Sequence, residues 1–554
     1  MVLDADVIVA GGGPCGLVMA CELGRRGIRT LLFNDRETTS PHPQANATQA
    51  RTMEHYRRLG FVRRIREAGL PPDYPTDVAY FTRLTKHELA RFELPAAGRA
   101  DDLVRRMSGS WSAAELPHRC SQMYIERILR EEAGRYPSVT LRFGARVLDT
   151  ADEGDHVSVT YQQGDAPATR VTARYLVGAD GPRSEIRRRL GIELRGEVNR
   201  SRPFLAGRMY SIFLRSATLY DLIPWQRAWQ YWVVNPERRG AMVALDGKGA
   251  FVYMTQLRPG EDDGAIPESL ARSIVQNGVG RPCDFDIVER APWTAGLTLS
   301  AERFQRGNIF LAGDAVHLFT PTGGLGYNTA VEDAVNLGWK LAAVLRGWGG
   351  PGLLQSYETE REPVARRNLG FSRHYADSTG NFVVPAELED ETEAGAAARR
   401  AVGDYFNQHA RAEFNIPGVT FGARYDGSPI IVPDGTAPPP DSANVYEPTA
   451  CPGGRAPHAW LEDGRSLFDA FGREFTLLRL STRAPDAERF VAAAASAKLP
   501  LAVLDLPSDE LRDAYQAELA LIRPDQIVAW RGTRAPDDPG ALLARVSGNA
   551  SASR

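Results

Sequence analysis

Four short segments carry residues whose types and spacing can do chemistry. The first is Gly11-Gly12-Gly13-Pro14-Cys15-Gly16. In such a loop Gly11 permits a tight turn, Gly13 lets a pyrophosphate reach the backbone, and Gly16 lets a helix lie close to the preceding strand. The phosphates then rest on the positive end of that helix. Asp35, beside Arg36, closes the next strand, where a carboxylate can accept hydrogen bonds from an adenosine ribose. Together these residues point to dinucleotide binding. The other three segments are Asp180-Gly181, Gly313-Asp314 and the run Pro321-Thr322-Gly323-Gly324-Leu325-Gly326-Tyr327-Asn328.

These segments need particular elements to position them. Asp6–Ala10 is a short β-branched run suited to a strand buried on both faces of a parallel sheet. A helical pattern follows the glycine loop, and Thr30–Phe33 forms a second strand. The chain then leaves this sheet and returns twice, as Leu176–Asp180 and as Asn308–Asp314. A helix is predicted to begin near Thr329. A nicotinamide dehydrogenase would complete its nucleotide domain within about 120 further residues, so the two late returns distinguish this chain from that class.

In this order and at these separations, the motifs resemble those of the group A flavoprotein aromatic hydroxylases, the family of p-hydroxybenzoate hydroxylase and phenol hydroxylase. The resemblance covers about residues 4 to 400 and, less sharply, the remainder. It implies non-covalent FAD, with NADPH or NADH as a transient reductant. It also implies hydroxylation of a phenolic or other aromatic substrate with O₂ through a flavin C4a-hydroperoxide. Carried over by residue, Asp35 binds the adenosine ribose and Asp180 sits where FAD and the nicotinamide meet. Gly313-Asp314 holds the ribityl chain, and Pro321–Asn328 runs along the isoalloxazine. Gln122 matches a glutamine near the ribityl and pyrophosphate groups, and Val147 a position whose backbone touches adenine. A helix starting near Asn328 stabilises reduced flavin through its positive end. One departure is Gln44, where many relatives carry an arginine that pairs with the pyrophosphate. Arg51 nearby reads as a packing residue or a cofactor contact. No protein nucleophile or metal is required, and His317 is a weak candidate base.

Residues 186–290 change style, to strand-like runs suited to an antiparallel sheet. In the resembled family such a sheet roofs the flavin and binds substrate. Trp225, Trp229, Tyr231, Phe251 and Tyr253 are its candidate wall residues, together with Pro321. The predicted organisation is an α/β Rossmann-type FAD-binding domain (1–75, 105–185 and 291–400) with an α+β substrate domain (76–104 and 186–290). A linker (401–445) leads to a thioredoxin-like α/β domain (446–554) that lacks a Cys-x-x-Cys pair, which excludes thioredoxin redox chemistry.

A net charge of −3 gives no basic excess for nucleic acid or anionic membrane. No apolar run is long enough for a membrane span, and no signal peptide is read at the start. Five widely spaced cysteines suggest neither a disulfide framework nor a metal site, and fit a reducing cytoplasm. A homo-oligomer is left open. Two alternatives remain at this stage: a Baeyer–Villiger or epoxidising oxygenase on the same scaffold, and a non-catalytic flavin-binding protein.

Overall fold

The computed structural model describes residues 2–199, 201–261 and 266–550. β1 (Ala5–Ala10) leads through the glycine loop to α1 (Pro14–Gly24) and β2 (Thr30–Asn34). A two-residue strand, β3 (Ala47–Thr48), precedes β4 (Val78–Phe81) and β5 (Glu88–Phe92) of a second sheet. The chain returns through β6 (His118–Arg119), α2 (Gln122–Gly134) and β7 (Val139–Phe143). A hairpin of β8 (Ala145–Asp152) and β9 (Val157–Gln163) then feeds β10 (Thr169–Gly178). The second sheet resumes with β11 (Gly207–Arg215), β12 (Gln230–Val233), β13 (Gly240–Ala244) and β14 (Ala250–Gln256). It closes with α3 (Glu268–Val279) and β15 (Asp286–Ala295). The last return is β16 (Ile309–Leu311), followed by α4 (Leu325–Leu345), α5 (Pro351–Asn381) and α6 (Glu393–Phe414).

The first sheet explains why its strands read as unbroken apolar runs. β16, β10, β1, β2 and β7 lie side by side in that order, all parallel. Every residue of β1 except Asp6 is buried, as expected for a strand covered on both faces. α1 packs against both α2 and α4. This arrangement brings the ends of β1, β10 and β16 to one edge, and each end carries one of the motifs.

The second sheet runs β15-β11-β14-β13-β12-β4-β5 and is antiparallel except where β12 meets β4. α3 covers one face: a Cβ built on its Gly278 would lie 2.4 Å from the Tyr253 hydroxyl. α6 covers part of the other face, where Phe406 stacks on Tyr80 with ring centroids 4.6 Å apart.

Two sequence expectations are corrected here. The segment 401–414, expected to be linker, is the second half of α6, and its apolar side (Val402, Phe406, Ala410) is buried on the sheet. The helix expected near Thr329 begins at Leu325, because Gly324 in the left-handed region (φ +63°) turns the chain directly into it. Gly323 and Gly324 before the helix and Gly326 in its first turn hid that start from a propensity argument.

The C-terminal part follows β17 (Phe475–Arg479), helix, β18 (Leu501–Asp505), helix, β19 (Leu519–Ile522), β20 (Val528–Gly532), helix. The sheet order is β18-β17-β19-β20, with only the β17–β18 pair parallel. That is the thioredoxin-like arrangement. It is joined to the first domain through buried charge: Arg523 pairs with Glu360 of α5 at 2.7 Å, and Lys340 of α4 reaches Glu360 at 2.6 Å. Trp339 and Trp348 pack around Phe475 across the same junction.

Candidate functional site

The glycine loop is built for a ligand at one position and for packing at two others. Gly11 has φ +118°, and a Cβ there would sit 2.0 Å from the Ala179 carbonyl oxygen. A Cβ on Gly16 would sit 1.9 Å from the Gly11 carbonyl oxygen. At Gly13 a Cβ would meet nothing within 4 Å, so the space above the N-terminus of α1 is open. Pro14 occupies the first turn, where its missing N–H costs nothing. Asp35 and Arg36 stand exposed just beyond β2. The side chain turned back to the loop is Asn34's, whose Oδ1 accepts from Gly12 N–H at 3.0 Å. Sequence reasoning missed Asn34; its place as the last residue of β2 was the available signal.

The Asp180 carboxylate accepts from Ser184 Oγ–H at 2.5 Å and from Ile186 N–H at 3.2 Å, and so orders the short helix Glu185–Arg189. Burial raises its pKa, against those hydrogen bonds. Arg187 of that helix donates to the Ala315 carbonyl at 2.9 Å, tying the Asp-Gly motif to the Gly-Asp motif. Gly313 in turn packs on the glycine loop: a Cβ there would lie 3.2 Å from Cys15 Cβ. Asp314, at the same turn, is exposed. His317 is fully buried and bonded through Nε2 to Asp333 Oδ2 at 2.7 Å. Asp333 also accepts from Gly313 N–H and from Arg361. Burial opposes its charge, but His317 and Arg361 hold its carboxyl below the usual range. The pair is a buried bracket for the Gly-Asp turn, which leaves His317 out of reach of a substrate.

The segment 321–328 lies against β3. Asn328 donates to the carbonyls of Gly324 and Ala47 and accepts from Gln49 N–H and Thr52 Oγ–H. Its four hydrogen-bonding positions are thereby filled, so it positions the backbone of Pro321–Tyr327. Tyr327 bonds to the Tyr56 hydroxyl, Leu325 is buried, Gly326 is half-buried, and Pro321 is exposed. Gln122 and Gln44 meet, with Gln122 Nε2 donating to Gln44 Oε1 at 3.2 Å and to Glu126 at 2.6 Å. Val147 lies half-buried on β8, against the first-domain core. Arg51 is turned away, donating to the Asp525 carbonyl and to Gln526 of the C-terminal domain, both at 2.6 Å.

The roof sheet corrects the aromatic candidates. Tyr231, Phe251 and Tyr253 lie on the face that α3 covers. Trp225 is 37% exposed beyond that face, against Phe81. Alternation with a period of two marks the faces but does not say which one looks inward. The other face carries Tyr80, Trp232 and Ser211, and Ser211 meets His42 of the loop before β3 at 2.8 Å. Tyr80 Oη and Trp232 Nε1 are buried there without a partner among the described residues. Trp229 packs beside Arg119 of β6 and Phe414 of α6.

These features fit FAD: an open position above a helix N-terminus, an exposed Asp314 two strands away, and a second helix start at Leu325. The comparisons agree. Residues 4–372 match the model of an FAD binding domain, and residues 449–550 that of the aromatic-ring hydroxylase C-terminal domain. The chain is 31% identical to the FAD-dependent monooxygenase apdD of Emericella nidulans, over 98% of this chain and 90% of that protein. It is 30% identical to the 2,4-dichlorophenol 6-monooxygenase of Delftia acidovorans, over 98% of both. Among solved structures, RebC soaked with chromopyrrolic acid, with bound 7-carboxy-K252c, superposes with a TM-score of 0.89 at 32% identity, over 99% of this chain and 100% of RebC. Aklavinone-11 hydroxylase with FAD and aklavinone gives 0.81 at 26% identity, over 99% of both chains.

Proposed function

This chain belongs to the FAD-dependent aromatic-ring monooxygenases, and on that premise we propose that it hydroxylates a phenolic ring within a multi-ring skeleton. Support for the skeleton comes from a putative polyketide hydroxylase of Streptomyces halstedii (31% identical) and from aklavinone-11 hydroxylase in complex with aklavinone. The observation that carries the reading is the meeting of three strand ends at Gly13, Asp180 and Asp314 beneath the roof sheet.

When bound, FAD supplies the redox chemistry, with a nicotinamide as reductant and O₂ as the oxygen donor. The chain's own residues bind and orient. The α1 N-terminus receives the pyrophosphate above Gly13, and Asp35 with Asn34 faces the adenosine ribose. Gln122 and Gln44 flank the pyrophosphate and ribityl region, with Val147 toward the adenine. Asp314 takes the ribityl hydroxyls. The first turn of α4, at Leu325, Gly326 and Tyr327, has backbone N–H groups free of intrahelical partners and turns them to the flavin edge. The roof sheet as a whole excludes water above the ring.

Anaerobic titration with NADPH and NADH, with and without a panel of phenols, tests this reading. The flavin absorbance should bleach much faster with one phenol, and in labelled O₂ that phenol should gain one labelled oxygen atom. Flavin that no nicotinamide bleaches under any condition would overturn it in favour of a non-catalytic flavin protein.

A further inference from the structure

Arg119 is 6% exposed, yet its guanidinium meets no carboxylate and no hydrogen-bond acceptor among the described residues. A guanidinium carries five N–H donors, and here no acceptor among the described residues meets them while the nitrogen atoms stay open to solvent. Other buried arginines here are paired. Arg361 holds Asp333, Arg455 holds Glu54, and Arg523 holds Glu360. The carboxylate that faces Arg119 electrostatically is Glu413, which accepts from Gly323 N–H at 2.8 Å, meets His409 at 2.7 Å, and forms no ion pair with Arg119.

The surroundings of Arg119 locate its missing partner. β6 pairs with β3, Arg119 opposite Ala47, and a Cβ on Gly324 would lie 2.9 Å from Ala47 Cβ. Arg119 therefore sits beside the segment assigned to the flavin ring. Its guanidinium lies over Trp229 with 4.5 Å to the ring centroid, and 6.0 Å from that of Phe414. Stacking uses the faces of a guanidinium and leaves its N–H edge free for a planar anion.

From this geometry we infer that Arg119 binds an anionic substituent of the aromatic substrate, a carboxylate being the group that fits its N–H edge. Trp229 and Phe414 then border the ring that carries the acid. The inference rests on the monooxygenase reading and narrows it to acid-bearing aromatics. A carboxylate held by the stacked edge fixes the ring in the plane of the guanidinium, so Arg119 sets which ring position faces the flavin.

The test uses flavin-loaded protein, with 3-hydroxy-2-naphthoate and its methyl ester as probes, followed by flavin absorbance and by stimulation of NAD(P)H oxidation. The wild type should bind the acid about tenfold or more tightly than the ester, as a charge-assisted contact requires. Arg119→Met should bring the two within about twofold, and Arg119→Lys should keep part of the preference. The flavin content of both variants should match the wild type. An undiminished preference in Arg119→Met overturns the inference, as does no preference in the wild type. Loss of FAD with the preference retained overturns it too, by assigning the side chain to the cofactor. Oxidation stimulated equally by acid and ester sinks the acid assignment alone. Oxidation stimulated by neither probe overturns it, and the phenol panel then shows whether the monooxygenase reading falls as well.

Discussion

Gly13 and Gly16 stand three residues apart in one loop and answer differently to a side chain. The backbone at Gly13 is extended (φ −78°) and a Cβ there meets no protein atom. Gly13→Val should therefore fold with near wild-type stability and purify without flavin, because the branched side chain fills the pyrophosphate position; retained absorbance near wild type would refute that placement. Gly16→Val drives a Cβ into the Gly11 carbonyl and should destabilise the protein by about 3 kcal/mol or more, read as a large fall in Tm. Asp314→Ala should fold and lose FAD, since its side chain is exposed and forms no hydrogen bond or ion pair among the described residues. Flavin content after gel filtration checks this. The packing roles of Gly11 and Gly16 were legible from the sequence because a glycine loop between a strand and a helix leaves few other uses for its residues. Arg119 was not: nothing near it in the chain shows that its charge lacks a partner, which only the fold reveals.

At the scale of elements, Asn328 joins the start of α4 to β3 and to the helix that follows β3. Asn328→Ala should lower stability by about 2–4 kcal/mol, as several buried groups lose partners, and should speed flavin release measured by fluorescence. An unchanged release rate would mean that α4 is positioned by packing alone. The strand returns were readable because buried parallel strands announce themselves as apolar runs ending in Asp-Gly or Gly-Asp. Two features were not. The inward face of the roof sheet depends on where α3 and α6 dock, so Tyr231, Phe251 and Tyr253 looked as suitable as Tyr80 and Trp232. The extent of α6 was hidden by the loop-rich stretch after it, although Val402, Phe406 and Ala410 already share one helical face.

Across the whole molecule, the C-terminal domain is fastened through buried ion pairs. Glu54 meets Arg455 and Arg51, and Glu22 meets Arg58 and Arg26 within the first domain. Burial alone would raise both carboxyls, but the arginines bring each from an ordinary 4.5 to about 2. A depressed folded pKa stabilises above the unfolded value and is lost as pH falls through the folded one. Stability should thus hold down to about pH 4.5 and fall steeply toward pH 2, and Glu54→Gln should flatten part of that fall in Tm. Glu360→Ala strands Lys340 and leaves Arg523 with Asp525 alone at the domain junction, and should cost about 3–5 kcal/mol, with both domains still melting in one transition. Two separate transitions would show that the domains are independent.

The contact of Gly11 with Ala179 has a consequence for synthesis. The N-terminal strand, helix and second strand look like a unit able to form as soon as they leave the ribosome. Yet the carbonyl of Ala179 closes the glycine loop, Gly313 props it from the far side, and the first turn of α4 completes the cofactor edge. No nascent chain shorter than about residue 328 contains all of these parts. The full set of parts at the glycine loop therefore exists only once more than half of the chain has been made.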